Sequence, residues 1–136
     1  MSLLNCNIRR NCTVAALIAA VIIGVLAAFL QITAVITVTT AFLWVVFGIA
    51  VVYLAVLLVA TALARRPVQN GCSCSVVNVL LLGILGTILF AVILLAVGIT
   101  ATSVVSAILV GLLLFFFTLI FAGSACFVRC LADCGT

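Results

Sequence analysis

Two long apolar stretches dominate the chain, and each is interrupted once by a short polar turn. Residues 11–64 carry no charge, and neither do residues 67–128. A helix needs about 20 apolar residues to cross a bilayer, so each stretch is long enough for two crossings. The first is broken by Thr37-Val38-Thr39-Thr40 and the second by Thr100-Ala101-Thr102-Ser103. Threonine and serine favour helix N-caps because their side-chain oxygen accepts a bond from an orphan backbone N–H. Each break therefore predicts a tight turn that starts the next helix. The pattern predicts four spans near 13–36, 40–64, 75–99 and 103–127, with Asn11 or Thr13 capping the first and Ser73 or Ser75 the third. Arg65 and Arg66 suit the last turn of the second helix, where cations complement the helix dipole. Pro67 and Asn70-Gly71 then turn the chain. The first apolar run is too long for the 7–15-residue core of a signal peptide.

The fold class this predicts is all-α: one domain over 1–136, built as two tandem helical hairpins over 11–66 and 72–129. The hairpins resemble each other. At a spacing of 63, Ile36, Thr37, Thr39, Gly48, Ala62 and Arg66 meet Ile99, Thr100, Thr102, Gly111, Ala125 and Arg129. At a spacing of 62, Cys12 and Gly24 meet Cys74 and Gly86. An internal duplication explains this pattern, with repeats related by an axis along the membrane normal.

Composition agrees with a chain that avoids water. Of 136 residues, 71% are hydrophobic and 4% charged, and the ionisable set is five arginines and one aspartate, without lysine, histidine or glutamate. A soluble domain carries roughly 25% charged residues, and one of this length has too little interior to hide so much apolar surface. Histidine-based and paired-carboxylate catalysis are excluded, because Asp133 has no acidic partner. The expectation is a non-enzymatic protein with no cofactor and no nucleic-acid partner, whose neighbours are lipid or copies of itself. Transporters keep an acidic, basic or histidine residue within the membrane, and none lies within residues 14–64 or 75–128; Gln31, Tyr53 and Asn78 are read as polar side chains satisfied at helix contacts. Phe115-Phe116-Phe117 points three ways around the fourth helix, so at least one ring is expected to face lipid or another subunit.

Small residues mark the helix contacts. Ala16, Ala20, Gly24 and Ala28 recur every four residues; Gly83, Thr87 and Ala91 repeat the pattern in the third span, and Ala107 and Gly111 in the fourth. Small residues at this spacing let backbones approach closely in lipid, where no hydrophobic force draws helices together.

Four crossings put all charges and all seven cysteines at one end: Cys6, Cys12, Cys72, Cys74, Cys126, Cys130 and Cys134. By the positive-inside rule this end faces the cytosol. Disulfides, a soft-metal site and thiol redox catalysis are three readings of such clustered thiols. Redox catalysis lacks a C-x-x-C pair. A metal site has suitable ligand spacing only at Cys126, Cys130 and Cys134, which share one face if the last helix reaches that far, and they supply three ligands rather than four. Disulfides fit the clustering, but cytosolic thiols are normally kept reduced. An odd count leaves one thiol to link copies or stay free.

Asn11-Cys12-Thr13 and the stretch ITVTTAFLWVVFGIAVVYLAVLLV from Ile36 to Val59 resemble the short cysteine-bearing hydrophobic proteins of endospore-forming Firmicutes. The resemblance implies a sporulation setting. Proteins made in the mother cell cytosol mature there in an oxidised, insoluble envelope, which reconciles arginine sidedness with cross-linked cysteines.

Overall fold

A computed structural model describes residues 2–35, 38–63, 72–97 and 104–134, with side chains over 11–35, 38–59, 77–97 and 104–129. The described chain is all-helical: α1 (Ser2–Ile32), α2 (Thr40–Leu63), α3 (Cys72–Val97) and α4 (Val104–Cys134). Each holds a segment long and apolar enough to cross a membrane, namely Asn11–Ile32, Thr40–Val59, Val77–Val97 and Val104–Arg129.

α1, α3 and α4 extend beyond the expected spans at the cysteine end. α1 begins at Ser2, so Asn11 and Thr13 lie inside it rather than capping it, and Ser73 and Ser75 lie inside α3. Helix formation requires only that backbone bonds continue. The polar residues before the apolar run do not interrupt them.

The turn after α1 ends that helix four residues earlier than the apolar pattern suggests. Val35 N–H donates to the Leu30 carbonyl and Ala34 N–H to that of Gln31, each at 3.1 Å. These two bonds form a Schellman cap, which places its penultimate residue in the left-handed region. That residue is Ala34, at φ 57°. The Thr33 hydroxyl lies 3.1 Å from the Phe29 and Leu30 carbonyls and helps satisfy this end. Thr39 caps α2 as expected: its Oγ1 accepts from Phe42 N–H at 3.4 Å. The matching turn over 98–103 and the loop holding Arg65, Arg66, Pro67, Asn70 and Gly71 lie outside the described residues.

Alanine in a left-handed position costs about 1–3 kcal/mol, which glycine relieves while losing more freedom on folding. Ala34→Gly is therefore expected to stabilise the bundle by about 1 kcal/mol, measured by reversible denaturation in mixed micelles. A loss of stability would show that the cap is not formed.

The helices run up and down, but chain order and packing order differ. α1 packs along α4, α4 along α3, and α3 along α2, while α1 touches α3 only slightly. The first hairpin is therefore consecutive in sequence without being a packed pair. Two apolar clusters hold α2, α3 and α4 together. Leu43, Val46, Ala91, Leu94, Val110 and Leu113 form the first, and Ala50, Leu80, Ile84 and Ile120 the second. Burial follows this order: 39% of the α3 and α4 spans is buried, against 22% of α1 and 17% of α2, which makes α1 and α2 the flanking helices.

The three phenylalanines of α4 lie on a helix packed by α1 and by α3. All three are half-buried between these two neighbours, and each keeps part of its surface exposed. Phe116 stacks on Phe90 at 5.5 Å and Phe115 meets Phe116 edge-on at 5.1 Å. Phe117 meets Phe121 edge-on at 4.9 Å and packs against both core clusters.

Candidate functional site

The α1–α4 contact combines the small-residue pattern with the cysteine chemistry. Cys12, Ala16, Ala20, Gly24 and Ala28 follow one another at four-residue steps along α1. Ala16, Ala20 and Gly24 are buried, and Ala28 is half-buried. On α4, Ala107 and Gly111 are buried opposite them. The approach is backbone to backbone. A Cβ built on Gly111 would stand 2.8 Å from the Ala28 Cβ and 2.9 Å from the Gly24 carbonyl oxygen. One on Gly24 would stand 3.0 Å from the Phe115 Cβ and 3.1 Å from the Gly111 oxygen.

The third span uses its small residues against the other side of α4. A Cβ on Gly83 would stand 3.2 Å from the Phe116 carbonyl oxygen, and Ala91 is buried in the first core cluster. The buried Thr87 hydroxyl donates to the Gly83 carbonyl at 2.7 Å. Thr118 donates to the Leu114 carbonyl at 2.7 Å, and Ser124 to that of Ile120. These hydroxyls are satisfied within their own helices.

Among the other polar side chains Tyr53 lies at a helix contact, whereas Gln31 and Asn78 depart from the expectation. Gln31 is buried, but its Oε1 has no hydrogen-bond partner, and neither has the buried Ser106 Oγ. Asn78 is exposed, and Tyr53 is half-buried with its ring 6.2 Å from that of Phe121. The antiparallel α1–α4 register puts Gln31 and Ser106 near the same end of the seam, away from the cysteines.

At the other end Cys12 and Cys126 are joined as a disulfide, their Cα atoms 6.2 Å apart and 114 residues apart in sequence. The one-residue offset in the repeat alignment gave no pointer to this pair; only the α1–α4 register brings it together. α4 continues through Cys134, so Cys126, Cys130 and Cys134 share a helix face. Cys126 is committed to Cys12, however, which removes it from that trio as a metal ligand. Cys6, Cys72 and Cys74 also lie on described helix backbone, and their side chains, like those of Cys130 and Cys134, lie outside the description. Among the described residues no three histidine, cysteine or acidic side chains cluster as a metal site.

These features define an all-α protein of four membrane-spanning-type helices, with a disulfide and a close glycine seam joining the first helix to the last. No family model, curated protein or solved structure matches the chain.

Proposed function

We propose that this chain is a non-enzymatic structural protein of a membrane-type assembly, its copies packed through apolar helix faces and cross-linked at the cysteine-bearing end. The Cys12–Cys126 disulfide is the observation that carries this reading. In this reading the pair marks the cysteine end as an oxidised end. With two of the seven cysteines paired, five remain, an odd number that cannot all pair within one chain. The spans support a packing role as well, since they hold small-residue seams, and the Thr87 and Thr118 hydroxyls are satisfied within their own helices. Flanking helices with little buried surface leave apolar faces for lipid or neighbouring copies.

An oxidised end sits poorly with an arginine-bearing end kept in a reducing cytosol. Maturation in an oxidised envelope, as the likeness to proteins of endospore formers implies, removes the conflict. Non-reducing electrophoresis of the native protein tests the proposal. A ladder of multiples of 14.1 kDa is expected, collapsing to one band on reduction. A monomer band in both lanes overturns the cross-linked assembly.

A further inference from the structure

α1 is held to the rest of the fold almost entirely through one helix. It packs along α4, touches α3 slightly and, among the described residues, meets α2 least or not at all. Neither core cluster contains a residue of α1, so α2, α3 and α4 keep their common core without it. The α1–α4 seam is built from alanine and glycine packed backbone to backbone, and its covalent element is the Cys12–Cys126 bond. Between Ile32 and Thr40 lie seven residues. Extended, they span about 25 Å, more than two helix diameters.

A small-residue groove on α4 also selects its occupant. Its backbone approach, with the Gly24 oxygen 2.9 Å from where a Gly111 Cβ would stand, requires a helix with small residues every four positions. α1 is that helix, and a second copy carries another. Exchange of an identical element between copies requires only such a self-sufficient remainder and a connection long enough to reach.

We propose that copies of this chain exchange α1, so that Cys12 of one copy bonds Cys126 of another across the same seam. The proposal rests on the self-assembling reading above and assigns its cross-link. The chemistry is thiol–disulfide exchange with no net oxidation. A small monothiolate attacks Sγ of Cys126, and Cys12 leaves as a thiolate. When α1 of a second copy docks, its Cys12 thiolate attacks Cys126 of the mixed disulfide and expels the monothiol. Two intrachain bonds become two interchain bonds.

The test uses the full chain with Cys6, Cys72, Cys74, Cys130 and Cys134 changed to serine, prepared separately in ¹⁴N and ¹⁵N forms. Formation of the intrachain Cys12–Cys126 bond in dilute vesicles shows that this variant folds. The two forms are then mixed at high protein-to-lipid ratio with a glutathione redox couple, quenched by alkylation and digested. Exchange predicts mixed-isotope Cys12–Cys126 peptides, rising toward half of that peptide as interchain bonds replace intrachain ones. It also predicts a band at twice 14.1 kDa on non-reducing gels. Single-isotope peptides alone, failure to form the pair even in dilute vesicles, or cross-links joining Cys12 to Cys12, would overturn it. A companion chain with Cys12→Ser and Cys126→Ser separates the two proposals. If it still forms ladders while the two-cysteine chain does not exchange, assembly stands and helix exchange falls. If neither chain cross-links, both fall.

Discussion

Cys12→Ser is expected to destabilise the bundle by about 2–3 kcal/mol, read from SDS titration of the protein in mixed micelles. The Cys12–Cys126 bond closes a separation of 114 residues, for which chain entropy alone gives about 5 kcal/mol. The smaller figure is chosen because helices in a bilayer persist when they separate. The dissociated state is four rods and three connections rather than a random coil. Cys126 itself is 8% exposed, and a free thiol is tolerated there as a small apolar group. The loss thus comes from the tether. Reduction, Cys126→Ser and the double substitution are each expected to give nearly the same value as Cys12→Ser. A double substitution costing twice as much would mean that the sulfurs act separately rather than as a bond. Distance probes on α1 and α4 should report the separation first, because α1 lies outside both core clusters.

The second large effect is expected at Gly111. Its alanine variant puts a methyl 2.9 Å from the Gly24 carbonyl oxygen and 2.8 Å from the Ala28 Cβ. Neither obstacle is the flexible end of a side chain, so α1 and α4 must move apart. Overpacking of this kind costs about 1–3 kcal/mol. Gly48 occupies the matching position of the first repeat, 63 residues earlier, but has nothing within 4 Å of an added Cβ. Gly48→Ala is expected to be neutral, or to gain up to about 1 kcal/mol from helix propensity. Side-by-side denaturation of the two variants checks this contrast. Equal losses would place a neighbour on Gly48, and equal neutrality would remove the α1–α4 seam.

Much of this protein was legible along the chain. Unbroken apolar runs separated by threonine turns dictate four long helices, because a backbone in lipid must satisfy its own hydrogen bonds. Thr39 carries its capping role in its own hydroxyl, which is a local matter. Small residues at four-residue steps likewise announced close helix contacts before any partner was assigned.

Partner choice was not written in the linear pattern. The sequence-adjacent helices α1 and α2 were the natural pair, yet α1 lies on α4. Without a hydrophobic drive between helices, closeness of approach decides, and α2 presents Trp44, Val45 and Val52 outward instead of a glycine groove. The two glycines of the repeat, alike in sequence, became a packed contact at Gly111 and an open position at Gly48. Which of seven cysteines pair was equally hidden, because pairing depends on interhelical register rather than on spacing along one helix. The sequence by itself determined the number of helices, their apolar character and the end that bears cysteine and arginine. Tertiary structure alone decided that α3 and α4 form the interior pair, that α1 docks on α4 through backbone-close packing, and that Cys12 and Cys126 meet.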